Sequence, residues 1–236
     1  MVNKLLLFGR WIVILGIPVV LVLTSARSLV ARWYPYYEYS KPDFPLDPYG
    51  FSQRQRLDLA RVAIDYLNTP GRAVEHIDML IDQRLPYTTQ PLYTPPEISH
   101  MVDVKNFTDR LWQVYTGSVL LVGGSLIILF IRRSTRAAAA KALFVGGLLT
   151  IAIPLALLLF VLLSWSVFFT RFHQLFFPPG SWTFDRSSSL IRLFPERLWL
   201  DGGVLLTGVA LIAGLAATVT GHILRVRVTR NGTWGD

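Results

Sequence analysis

The chain has no cysteine, which excludes disulfides, thiolate nucleophiles and zinc–thiolate sites and leaves redox compartment open. Charge is the second scarcity. Asp, Glu, Lys and Arg make up 16% of the 236 residues, against about a quarter in an ordinary soluble domain. Acidic residues are missing from the basic stretches in particular. Lys4 and Arg10 precede the first apolar run; Arg132, Arg133, Arg136 and Lys141 separate the second from the third; Arg225, Arg227 and Arg230 follow the fourth, with Asp236 the one nearby acid. The formal net charge of +8 is therefore a topology signal of the positive-inside kind, not a nucleic-acid footprint. No basic stripe interleaved with aromatics supports nucleic acid as a partner. Glycine-rich phosphate loops, a dinucleotide fingerprint and a nucleophile elbow are also absent.

Long hydrophobic runs are abundant instead, with 52% hydrophobic residues and a mean hydropathy of +0.44. Runs of this length read as membrane spans. The first covers about Trp11 to Val30, with Pro18 inside it. A signal peptide is the competing reading, but Leu29 and Val30 continue the pattern and Trp33, Tyr34, Tyr36 and Tyr37 follow as an interfacial belt. These features predict an all-α membrane protein with four transmembrane helices and a small, mostly helical extracytoplasmic cap. The expected division is a first span within 1–32, a cap over 33–110, a second span at 111–131 and a cytoplasmic loop at 132–141. A third span at 142–169, an aromatic-rich outer loop at 170–201, a fourth span at 202–225 and a cytoplasmic tail at 226–236 complete it. Basic loops inside put both termini in the cytoplasm and the cap outside the membrane. The spans hold almost no ionisable side chains, which weighs against a proton or ion-coupled transporter. Ala210, Gly214 and Thr218 form a small-residue face on the fourth span, suited to close helix packing.

Within the cap, residues 34–48 are rich in Pro, Tyr and Asp and read as extended or turned. Ser52 is an N-cap for a helix reaching about Leu67, with Leu57, Ala60, Ile64 and Leu67 on its apolar face. A short second helix over 73–83 and a proline-rich loop over 85–96 follow. Pro95-Pro96-Glu97 starts a helix with nothing to break it before the second span. His100 then stands roughly 15 Å above the hydrocarbon that begins at Leu111.

The chain has only four histidines, and two fall at the outer membrane face. His100 lies in Glu97-Ile98-Ser99-His100-Met101-Val102-Asp103-Val104-Lys105, where Glu97 and Asp103 share its face at three-residue spacing. A carboxylate beside an imidazole fixes its tautomer and raises its basicity. His173 lies in Arg171-Phe172-His173-Gln174-Leu175-Phe176-Phe177, with Trp182, Phe184, Phe194 and Trp199 downstream. That pattern suits either an interfacial aromatic belt or an apolar pocket holding a base. His76 sits on a short charged helix and His222 ends the fourth span on the opposite side. A metal site from His100, His173 and Asp103 lacks a tight ligand motif, so no metal is expected.

Several of these stretches, taken together, resemble one family. They are Ser99-His100-Met101 with Asp103-Val104-Lys105, Phe172-His173-Gln174 with Phe176-Phe177, Trp182-Thr183-Phe184-Asp185, Leu190 to Glu196, and Tyr49-Gly50. In this order they resemble the bacterial lipoprotein intramolecular transacylases, over nearly the whole chain. The resemblance implies a multi-pass protein of the bacterial cytoplasmic membrane, acting on a diacylglyceryl lipoprotein among the membrane lipids. It implies transfer of the sn-2 acyl chain to the α-amine of the lipoprotein's N-terminal cysteine, giving a lyso-form product, with no cofactor. His100 and His173 match the family's two histidines. Glu97 or Asp103 would orient His100, and Lys105, Arg192 or backbone amides would stabilise the oxyanion, with Ser99 and Glu196 as further supporting residues. Tyr49, Phe172, Phe176, Phe177, Trp182 and Phe184 would line the substrate pocket. The residues leave open which histidine is acid and which base. Two other readings also stay open, a non-enzymatic envelope protein and a related acyltransferase for another lipid.

Overall fold

The structure, a computed structural model, describes residues 2–232, and among them it is helical with no strand beyond one isolated bridge, Arg84 to Pro91. The helices are α1 (Val2–Leu29), α2 (Trp33–Ser40), α3 (Gln53–Asn68), α4 (Asp78–Ile81), α5 (Pro95–Ile131), α6 (Arg136–Leu163), α7 (Trp165–Phe176), α8 (Ser189–Leu193) and α9 (Glu196–Gly232). Four of them, α1, α5, α6 and α9, are long and apolar enough to cross a membrane, as the expected all-α membrane fold requires. The chain divides into two compact units.

The first unit contains the residues up to Ala26, Leu111–Leu159, and the chain from Leu205 on. Its surface is apolar, with Leu15, Leu120, Ile127 and Ile212 exposed, which suits acyl chains as solvent. Its interior core brings Val13, Ile14 and Ile17 together with Val122, Leu129, Ala139 and Ala142. Small residues set the helix spacing. A Cβ at Gly147 would lie 2.8 Å from the Gly214 carbonyl, and one at Gly221 would lie 2.5 Å from the Phe144 nitrogen. The expected face of the last span is therefore used: Ala210 is fully buried, while Gly214 and Thr218 pack on Gly147.

The second unit contains Arg27–Arg110 and Phe160–Val204, so the two segments expected outside the membrane fold as one body. Its core gathers Phe51, Ala63, Tyr66, Leu80, Leu92, Tyr93, Met101, Leu190 and Leu193. Ser52 starts α3 with a reciprocal capping box: its Oγ accepts from the Gln55 N–H at 3.2 Å, and its own N–H donates to Gln55 Oε1 at 2.8 Å. The buried stripe of α3 is Arg56, Ala60, Ala63, Ile64 and Tyr66, rotated from the Leu57–Leu67 face that periodicity alone predicts. Arg56 goes inside because its guanidinium meets two carbonyls, Arg192 O at 3.0 Å and Pro45 O at 2.8 Å, and lies over the rings of Tyr39 and Phe44. Two tyrosines lock the same unit through their hydroxyls, Tyr34 to the Leu198 carbonyl and Tyr39 to the Leu193 carbonyl.

Two local expectations are corrected. Residues 34–40 are helical rather than extended, because Pro35 stands in the first turn of α2, where its missing N–H has no helical partner to lose. The run expected as one helix over 142–169 divides at Ser164, whose φ of −151° and ψ of 60° end α6 and start α7.

Candidate active site

His100 is reached through the first turns of α5. Glu97 Oε2 accepts from both the N–H and the hydroxyl of Thr94, at 2.7 and 2.8 Å, and Oε1 accepts from the Leu190 N–H at 2.9 Å. One buried carboxylate thus caps α5 and ties α8 to it. His100 follows one turn later, ahead of the apolar stretch that begins at Leu111, with 9% of its surface exposed. His173 stands in the last turn of α7. Its Nδ1 lies 2.8 Å from the Phe169 carbonyl oxygen, one turn earlier on the same helix. A carbonyl only accepts, so Nδ1 carries the proton and the lone pair of the neutral ring sits on Nε2.

The two imidazoles stack at 6.3 Å between centroids, with 27° between their planes. Aromatic rings enclose them. Phe177 stands 5.2 Å from His100 and 5.4 Å from His173, and Phe184 stands 5.5 Å from His100. Phe169 lies 4.0 Å and Trp182 4.9 Å from His173. Phe172 borders His173 at 5.5 Å, and Phe107 joins Phe172, Phe176 and Phe177 at 6.0, 4.7 and 5.6 Å. Burial drives the His100 imidazole down to about 4, with the charge of His173 as a second cause. Burial also lowers His173, opposed by the hydrogen bond to the Phe169 carbonyl. Both rings are neutral at pH 7, and none of the rings packed on them carries a fixed charge.

The structure places the remaining candidates as follows. No carboxylate hydrogen-bonds to His100 among the described residues: Glu97 is committed to Thr94 and Leu190, and Asp103 makes no hydrogen bond or ion pair. The expected carboxylate orienter of His100 is therefore absent, because Glu97 turns back to cap its own helix. Ser99 is exposed. Lys105 is buried to 1%, with Nζ bonded to both oxygens of Asp109 at 2.9 and 3.0 Å. Arg192 donates to Asp47 Oδ2 at 2.8 Å and to the Tyr49 carbonyl at 3.2 Å, and lies 3.4 Å over the Phe51 ring. Burial of Asp47 raises its carboxyl, but the hydrogen bonds from Arg192 and Phe51 outweigh this and hold it below the usual range. Glu196 is exposed at the start of α9, and Tyr49 faces Arg192, half exposed. Gly50, with φ of 98°, makes the turn that presents Asp47 to this pair, so Tyr49-Gly50 belongs to a structural clasp.

Phe172, Phe176, Phe177, Trp182 and Phe184 do assemble around the histidines. Sequence reasoning missed Phe107 and Phe169. Phe107 follows His100 by seven residues, two helical turns, and Phe169 precedes His173 by four residues, one turn, so helical spacing was the available signal. An open groove of about 340 Å³ runs along α7, lined by Ser166, Val167, Thr170, Arg171 and Gln174.

A family model described as lipoprotein intramolecular transacylase Lit matches residues 11–199. An uncharacterized protein of Aquifex aeolicus (strain VF5) is 26% identical over 211 residues, 89% of this chain and 91% of that protein. The in meso structure of the membrane integral lipoprotein intramolecular transacylase Lit from Bacillus cereus is similar with a TM-score of 0.77 at 21% identity, covering 97% of this chain and 99% of that one. A structure of the same Bacillus cereus protein with a histidine-to-alanine mutation gives a TM-score of 0.69 at 20% identity, over 97% and 96% of the two chains.

Proposed function

The chain belongs to the lipoprotein intramolecular transacylase Lit family, and from that premise we propose that it moves the sn-2 acyl chain of a diacylglyceryl lipoprotein to the α-amine of the N-terminal cysteine. The observation that carries this reading is the stacked pair His100–His173 inside an aromatic cage, with the His173 proton fixed on Nδ1 by the Phe169 carbonyl. His173 Nε2 takes the proton from the attacking amine. The nitrogen forms a bond to the ester carbonyl carbon, and the tetrahedral intermediate collapses by breaking its bond to the sn-2 glyceryl oxygen. That oxygen receives the proton, so ester plus amine become amide plus hydroxyl with no atom gained or lost. His100, the second neutral imidazole, hydrogen-bonds the leaving oxygen while the proton is returned.

Physical chemistry supports this use of the site. Donor and acceptor belong to one molecule, so holding the glyceryl–cysteine unit folded replaces much of the work of bringing reactants together. An apolar cage keeps out the water that would hydrolyse the ester. As the imidazolium forms, its Nδ1–H already has an acceptor, and it stands at the negative end of the α7 dipole. The basic loop at 132–141 and the basic tail support an orientation with both termini in the cytoplasm, and with this chemistry on the outer face of the bacterial cytoplasmic membrane.

Mass spectrometry of a lipoprotein N-terminus from cells without another amine acylation route tests the reaction. With this chain present, one acyl group moves from glycerol to the amine at unchanged total mass. His100→Ala and His173→Ala each lower turnover by about a hundredfold or more while still inserting and folding. An N-terminus that keeps its diacylglyceryl group and free amine, despite confirmed membrane expression, removes the proposal.

A further inference from the structure

The proposed reaction passes through an oxyanion, and the cationic side chains that could neutralise it are engaged elsewhere. Lys105 Nζ is bound to both oxygens of Asp109, and Arg192 is held by Asp47 and the Tyr49 carbonyl. Within the cage, a different donor stands unused. Trp182 Nε1 is buried from solvent and has no hydrogen-bond partner among the described residues. Its ring lies on His173, 4.9 Å between centroids at 37°, and meets the edge of Phe169 at 6.2 Å. An indole nitrogen only donates, so its partner must be an acceptor. The neighbouring rings of Phe169 and His173 offer it no carbonyl or carboxylate.

If Trp182 served only to cover His173, a phenyl ring would do so without the cost of a buried, unmatched N–H. The His173 lone pair, the tryptophan donor and the cage walls are instead the parts that an acyl transfer needs side by side. We infer that the Trp182 indole N–H is a catalytic hydrogen-bond donor to the ester carbonyl oxygen, and to the oxyanion formed from it when the amine attacks. The inference rests on the acyl-transfer reading of the same site. In a site walled by aromatic rings, one such donor gains strength as charge develops on its partner, since the surrounding apolar groups screen it less than water would. Trp182 sits within residues 177–188, which contain turns and neither helix nor strand.

The test replaces one atom. Benzothienylalanine, introduced at position 182 of the full-length chain by nonsense suppression, keeps the bicyclic shape and exchanges N–H for sulfur. With a synthetic diacylglyceryl lipopeptide in lipid nanodiscs, kcat falls by about a hundredfold while KM and the unfolding temperature hold. Trp182→Phe behaves likewise in kcat. Turnover within about threefold of wild type for the benzothienyl protein overturns the role. A second readout is independent of turnover: the indole ¹⁵N–¹H resonance lost in Trp182→Phe is followed while an unreactive lipopeptide with an acetylated amine is added. A downfield shift supports a carbonyl bond, and no shift refutes it. Wild-type protein that leaves the reactive lipopeptide unchanged, yet shifts this resonance, disproves the acyl transfer while retaining the carbonyl donor.

Discussion

The two units hold themselves together by opposite means. The unit of long spans packs through what is missing from its side chains: Gly147, Gly214 and Gly221 bring helix backbones into contact, and the large apolar residues point outward. The unit that carries the histidines packs through specific polar ties: Glu97 to Thr94 and Leu190, Arg56 to two carbonyls, and Arg192 to Asp47. In lipid, burying hydrocarbon between helices gains little, so close backbone contact does the work. Outside the spans, hydrogen bonds to charged groups are strong and directional, and they fix ring positions that apolar packing alone would leave loose. The catalytic geometry proposed here sits in the unit built of directional bonds.

That contrast can be broken from either side. Adding bulk to the glycine contacts has the largest expected effect. Gly221→Val drives a side chain into the Phe144 backbone and destabilises the protein by about 3 kcal/mol in detergent unfolding, whereas Gly208→Ala, with no atom within 4 Å of its added Cβ, stays within about 0.5 kcal/mol. Removing a tie from the other unit comes next. Glu97→Ala leaves the Thr94 and Leu190 donors without their acceptor and costs about 2 kcal/mol, with a loss of turnover that Glu97→Gln partly restores. The smallest effect is acid sensitivity. The folded His100 value of about 4 lies below the ordinary 6.5, so between those values the unfolded chain binds more protons. Stability therefore rises with pH across that window and falls as pH drops from 7 toward 5. Thermal unfolding at the two pH values should show a decline of a few degrees, reduced in His100→Phe. An equal decline in that variant assigns the sensitivity to other groups.

Much of this was legible in the sequence for identifiable reasons. Span length, basic loops and the Ser52 and Pro95 helix starts are local signals, and each appears as the chain dictates. The aromatic ring set was readable as composition near His173, because Phe172 immediately precedes it and Phe176 and Phe177 follow it by three and four residues, the spacing of one helical turn. Partner choice was not readable. Glu97 and His100 share a helix face, yet the carboxylate finds better donors at Thr94 and at Leu190, 93 residues away. Arg56 is not among the apolar-face positions that periodicity marks, yet it is buried, because its guanidinium donates to the carbonyls of Pro45 and Arg192. The break at Ser164 left no mark in hydropathy, since apolar residues continue on both sides of it.

The hydrogen bond from His173 to the Phe169 carbonyl has a consequence for the medium the site works in. Many catalytic imidazoles are aligned by a carboxylate, which brings a permanent ion and its hydration with it. Here a backbone dipole sets the alignment, so the resting chamber is electrically silent and miscible with oil. For the proposed acyl transfer this means that acyl chains would enter without stripping water from an ion, and charge would arise only while a bond is being exchanged. Turnover by such a chamber should be nearly indifferent to ionic strength.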